Sequence, residues 1–205
     1  MSNGKFIVFE GIDGAGKSTQ VALLRERLNE LGYDVHLTAE PTAAPSGKAI
    51  REALSGSVKK SECEMAAMFV LDRIAHNSAE ICPLTESGKV VISDRYYYSN
   101  LAYQGQTTDY AWVKAMNRDC PDIKRPDLCI YLDLLPEQSL ARIKARNEAL
   151  EIYENIEKLT NVRNSFLTVI DDLKKEGEKI FIVNADRTPE DIASEIFDTV
   201  RRELL

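Results

Sequence analysis

The residues with the plainest chemistry stand near the start of the chain. Gly11-Ile12-Asp13-Gly14-Ala15-Gly16-Lys17-Ser18 has the spacing G-x-x-x-x-G-K-S/T of a phosphate-binding loop. Glycines at 11, 14 and 16 let the backbone curl until several N–H groups point inward, and a helix beginning near Lys17 adds the positive end of its dipole. Lys17 is spaced to reach the β- and γ-phosphates of a nucleoside triphosphate and the Ser18 hydroxyl to ligate Mg²⁺, with Thr19 also among the expected donor-binding residues. Asp94-Arg95 is a second group. Asp94 closes the apolar run Val90-Val91-Ile92 and suits a metal-holding carboxylate of the Walker-B kind, a role for which Asp133 competes. Phe69 and Arg73, spaced i, i+4, share one helix face and form a third. Arg142 and Arg146 place two cations on a later helical segment.

Such groups need a scaffold that gathers them at one edge. Residues 5–10 form an apolar run directly before the glycine loop and predict a buried strand. Residues 19–28 carry apolar side chains at 21, 24 and 28, a helical pattern. Further strands are predicted at 34–39, 90–94, 128–133 and 179–184. Helices are predicted at about 48–54, 61–87, 110–118, 151–176 and 189–205, and from Pro136 onward. The stretch between Arg95 and Tyr110 receives no element. Five short apolar strands alternating with helices predict one α/β domain over residues 1–205, a five-stranded parallel sheet with helices on both faces. Ligands of such sheets sit outside the carboxyl ends of the strands, which here finish on Glu10, Glu40, Asp94, Asp133 and Asn184. The glycine loop and Asp94 therefore belong to one site.

Composition narrows the function classes. With 26 basic against 33 acidic residues the net charge is −7, which argues against a nucleic-acid partner because there is no basic field. No apolar run approaches the roughly 18 residues of a membrane span, and no signal-peptide core precedes the first strand, so a cytoplasmic protein without a membrane partner is expected. Cysteines at 63, 82, 120 and 129 have no C-x-x-C spacing and read as unpaired thiols.

Several blocks together resemble the thymidylate kinase family over nearly the whole chain. They are Phe9-Glu10-Gly11 through Thr19-Gln20, Glu40-Pro41-Thr42, the pair Phe69 and Arg73, and Asp94-Arg95-Tyr96 followed by Ser99-Asn100-Leu101-Ala102-Tyr103-Gln104-Gly105. The resemblance implies the P-loop nucleotide kinase fold and transfer of the γ-phosphoryl of ATP to dTMP with Mg²⁺. It implies that Arg95 bridges the acceptor and γ-phosphates, that Arg51 holds the acceptor phosphate, and that Asp13 lies near the acceptor's 3′-hydroxyl. It also implies that Phe69 stacks on thymine, Arg73 donates to O4, Asn100 faces the N3 edge and Pro41 walls the methyl pocket. Tyr103 would crowd the sugar's 2′ position, and Ser99 and Gln104 fall among the acceptor-binding residues. The loop between Gly11 and Gly16 has no arginine, so the chain resembles the members that supply one from a lid, here at about 142–155. Arg146 is then the expected transition-state arginine, with Arg142 along the adenine or phosphates. A homodimer is implied as well; the region of Met65 and Met68 and the helix from Ala49 are a candidate surface, though core packing explains an apolar helix face equally.

A GTPase needs an N-K-x-D element, and Asn184-Ala185-Asp186-Arg187 lacks the lysine. A kinase for another nucleoside or monophosphate lacks a reason for Phe69, Arg73 and Asn100 together, which suit a 4-keto pyrimidine. A module that only binds nucleotide has no need of Arg95.

Overall fold

The structure, a computed structural model, describes residues 4–145 and 156–205. Strand β1 (Lys5–Glu10) runs into the glycine loop and helix α1 (Lys17–Glu30), and β2 (Val35–Ala39) leads to α2 (Pro45–Leu54). Helix α3 (Glu62–His76) continues through a π-helical turn (Asn77–Ile81) into the short α4 (Cys82–Glu86). Then come β3 (Val90–Asp94), α5 (Tyr97–Thr107), α6 (Tyr110–Arg118), β4 (Leu128–Asp133) and α7 (Pro136–Ala145). The chain closes with α8 (Ile156–Lys175), β5 (Ile180–Asn184) and α9 (Pro189–Leu204).

The five strands are parallel in the order β2-β3-β1-β4-β5. The step from β1 to β2 runs one way along the sheet and every later step the other way. Right-handed crossovers therefore put α1 on the face opposite the helices that link the later strands. α9 joins α1, while α3, α5, α6 and α8 pack together. The β1 side chains Phe6, Ile7, Val8 and Phe9 have no exposed surface, as expected for a central strand covered on both faces. Register levels the strand ends that matter: Phe9 and Ala39 both sit opposite Asp94 of β3.

Three differences from the sequence expectation have physical causes. The segment 61–87 is not one regular helix. Pro83 has no N–H to donate, and the helical ladder slips through the π turn just before it. Residues 97–107, given no element, are the helix α5. Its N-cap residue Tyr96 offers no capping side chain; the cap comes instead from Glu10 at the end of β1, which accepts from the N–H groups of Tyr96 (2.9 Å) and Ser99 (3.1 Å). A local sequence pattern cannot show a cap delivered from 86 residues away. Helix α2 starts at Pro45 rather than Lys48, with proline in its favoured first-turn position. The predicted helix over 151–176 matches α8 over the part that is described.

Candidate active site

The glycine loop lies at the carboxyl end of the central strand. Gly11 (φ 148°) and Gly14 (φ 75°) have backbone angles that L side chains rarely adopt, and a Cβ on Gly14 would stand 2.9 Å from the Ser139 carbonyl. Ser139 of α7, fully buried, donates its hydroxyl to the Asp13 carbonyl at 2.5 Å and so ties the loop to the neighbouring helix. The Lys17 ammonium donates to the carbonyls of Gly11 (3.0 Å) and Ile12 (3.3 Å) and is 8% exposed. Burial, followed by the nearby Arg95 charge, lowers its pKa to about 8, and Asp94, Asp13 and Glu10 offset only part of this.

Arg95 follows the metal-type carboxylate and occupies the left-handed region (φ 71°), alone among the described non-glycine residues. Its N–H donates to the Phe9 carbonyl at 2.9 Å, which pins it to β1. Its guanidinium donates to Asp13 Oδ1 (2.5 Å) and Ser99 Oγ (3.0 Å) and lies over the Tyr103 ring, 5.8 Å from the centroid. Ser99 Oγ in turn donates to Glu10 Oε2 at 2.7 Å. Glu10 is wholly buried; desolvation raises its pKa, while Arg95 and its hydrogen bonds pull the other way. Burial pushes the Tyr103 phenol up to about 12 against the pull of Arg95.

Beside this cluster is a cavity of about 330 Å³ lined by Asp13, Arg95, Ser99, Pro41, Phe69, Asn100, Tyr103, Gln104, Leu54 and Lys158. One end is cationic and next to the glycine loop; the other is apolar and aromatic with two amides, a usual make-up for a small-molecule site. Asp72, almost fully buried, holds the Pro41 side to the Phe69 helix by accepting from Thr42 N–H (2.8 Å), Thr42 Oγ1 (2.6 Å) and Ser46 Oγ (2.6 Å).

Not every expected residue lines that cavity. Arg73 is 1% exposed behind it, with its guanidinium donating to Glu40 Oε2 and Asn117 Oδ1, both at 2.5 Å, and lying over the Tyr96 ring. Arg51 donates to the Pro41 carbonyl at 2.9 Å and lines a separate recess with Thr38, Ala39, Thr42 and Glu80. Arg142 of α7 reaches the Ala185 carbonyl at 2.8 Å, beyond the end of β5. Arg146 and most of the lid segment lie outside the described residues. Asp94 and Asp133, rivals from sequence, are separated by their partners. Asp133 is held by Arg163, with both oxygens accepting at 2.7 and 2.8 Å. Asp94 Oδ1 is buried and has no hydrogen-bond partner. Such a carboxylate oxygen is the kind of donor a hard cation takes, and Ser18 stands in the first turn of α1. Among the described residues no cluster of three or more His, Cys, Asp or Glu could chelate a metal. The residues therefore fit a metal held mainly by a polyphosphate and by one or two protein oxygens.

Sequence reading put Glu10 and Glu40 at the ligand edge without giving them a role, and gave Asn117, Ser139 and Lys158 none at all. The two glutamates had a signal, a carboxylate ending an apolar strand; the other three had none, because their helices carry no motif.

Residues 9–196 match the family model for thymidylate kinase. The chain belongs to the thymidylate kinase family. It is 43% identical over 209 residues to a probable thymidylate kinase of Pyrococcus horikoshii, covering 98% of each chain. It is 37% identical to the probable thymidylate kinase of Pyrobaculum aerophilum, over 96% of each. With the thymidylate kinase of Leptospira interrogans it shares 37% identity over 87% of this chain and 90% of that one. Family membership and the site agree in position, since the matched region spans the glycine loop, Asp94-Arg95 and the whole cavity lining. Among the described residues no helix is long and apolar enough to cross a membrane.

Proposed function

We propose that this chain phosphorylates dTMP to dTDP, with ATP as donor bound in the glycine loop and dTMP in the cavity beside it. The single observation that carries the reading is the position of Arg95, which lines the acceptor cavity while pinned by its own N–H to the strand that leads into the donor loop. A cation between two polyanions lets acceptor and γ-phosphates approach in line. Its guanidinium fork, oriented by Asp13 and Ser99, matches phosphate oxygens. Phe69 and Pro41, both in the cavity lining, would wall the base, and Tyr103, also in the lining, is assigned to the sugar on the family resemblance. Lys158, on the first turn of α8, adds a further positive charge to the lining. Asp94 and Ser18 would hold Mg²⁺, which when bound neutralises charge on the β- and γ-phosphates. Arg142 is assigned to the donor side and Arg146 to the transition state, both on the family resemblance, as are a homodimer and a cytoplasmic setting.

The test is ADP release over a panel of nucleoside monophosphates. dTMP is expected to give the highest kcat/KM, and in Tyr103→Ala the preference for dTMP over ribothymidine monophosphate should narrow by about tenfold. A panel led by AMP or GMP would overturn the acceptor assignment.

The Lys17 environment gives a pH prediction. Its ammonium is the form that binds phosphate, and in the unliganded enzyme that form is lost as pH rises through about 8. kcat/KM for ATP reports the unliganded enzyme, so it should fall above pH 8. In the ATP complex the polyphosphate restores the ammonium, and kcat should hold to higher pH. Equal alkaline limbs in both profiles would count against this role.

A further inference from the structure

An amide side chain can present its oxygen or its NH₂ to a ligand, and which one it presents is decided by its other partners. Asn100 lines the acceptor cavity and is 1% exposed. Behind it stands Asn117 of α6, also 1% exposed. Two neighbours fix the orientation of Asn117 independently. Arg73 can only donate, so the atom it meets at 2.5 Å is Oδ1; the Val113 carbonyl can only accept, so the atom 2.9 Å from it is Nδ2. The remaining N–H of Asn117 donates at 2.9 Å to Asn100, whose facing atom is thereby Oδ1. Asn100 Nδ2 then donates to Gln104 Oε1 at 3.1 Å. Glu40, bound to the far side of Arg73, anchors the series with a charge.

Resting on the reading of the cavity as the dTMP site, we propose that Asn117 is a specificity-determining positioning residue: it locks the Asn100 amide in the orientation that accepts a 4-keto pyrimidine and rejects cytosine. After its two protein bonds the Asn100 amide keeps one N–H and one oxygen lone pair. That pair is complementary to the N3–H of thymine and one adjoining keto oxygen. Cytosine in the same pose sets its N3 lone pair against the amide oxygen, and its 4-amino group against the NH₂ where thymine has O4. An amide that could turn over would accommodate either base. The buried Arg73–Asn117 bond removes that freedom from behind Asn100, whatever Arg73 Nε, which has no partner in the protein, offers the base.

Asn117→Asp is the sharpest test. The carboxylate still accepts from Arg73 but cannot donate, so Asn100 must turn its NH₂ toward it and show the cavity the opposite order. The ratio of kcat/KM for dTMP over dCMP is expected to fall at least about tenfold, chiefly through a raised KM for dTMP. Asn117→Ser, which removes the lock without imposing the reverse, should lower the ratio in the same direction and stands in if the aspartate variant does not fold, as judged by thermal melting. A variant that folds and loses activity on both substrates equally, keeping the ratio, would overturn the proposal and leave Asn117 a packing residue. Asn100→Ala separates the two levels. If it raises KM for dTMP while the Asn117 variants keep the ratio, only the lock fails. If it leaves KM for dTMP unchanged, the base does not lie against Asn100, and the acceptor reading falls with the lock.

Discussion

Lys17→Ala is expected to lower kcat by on the order of 10³-fold while the protein stays folded. The ammonium is the one side-chain charge of the glycine loop that can follow negative charge as it moves from the γ-phosphate onto the β–γ bridging oxygen. Main-chain N–H groups of the loop are fixed and bind donor and product about equally, so they contribute to affinity more than to rate. The larger loss should therefore show in kcat, with a smaller rise in KM for ATP because the ammonium also binds the ground-state polyphosphate. Stability should change little, for a reason visible in the site. The buried ammonium is disfavoured by desolvation and by Arg95, so its removal relieves a cost even as the Gly11 and Ile12 carbonyls lose a donor. Steady-state kinetics on a variant with a near-native melting temperature is the measurement. A kcat within a few-fold of the parent would mean that the triphosphate tail is held elsewhere.

Much of this arrangement was legible in the chain because its signals are local. The glycine loop needs φ values that only its residue types tolerate, and the apolar strands before Gly11 and Asp94 announce a sheet whose carboxyl edge collects Glu10, Asp94 and Asp133. Phe69, singled out by its helical partnership with Arg73, lines the cavity. What escaped was whatever depended on a partner far along the chain. Helix α5 has its cap on β1, so its own sequence looks like a loop with a motif in it. Arg73 was expected to meet the base, but its protein partners could not be foreseen: Glu40 and Asn117 come from two other elements and take its two terminal nitrogens, leaving Nε without a protein partner. Two contacts that bear on Asp94 and Asp133 were likewise out of local view: Arg163, thirty residues beyond Asp133, occupies both oxygens of that carboxylate, while Asp94 Oδ1 has no partner.

Arg95→Gly should separate catalysis from stability more sharply than any other single change. Arg95 holds a left-handed backbone angle that costs an L-residue about 1–2 kcal/mol and costs glycine almost nothing. Against that gain, Glu10 loses the cation that opposes its desolvation, and Asp13 and Ser99 lose a donor. The opposing effects are of similar size, so the melting temperature is expected to move by only a few degrees. Turnover is another matter. Without the guanidinium the cation that joins the acceptor cavity to the strand beneath the donor loop is gone, leaving only neutral and acidic links there through Ser99, Glu10 and Asp13, and kcat should fall by roughly 10³-fold or more. Arg95→Lys is the companion variant: it restores the charge but not the fork, and at a position where Asp13, Ser99 and a phosphate must be met together it should recover only part of the loss. Measuring kcat and KM for dTMP in both variants decides the matter. A glycine variant that retained more than a tenth of the parent kcat would remove Arg95 from the reacting phosphates and leave it a structural tie between β1 and α5.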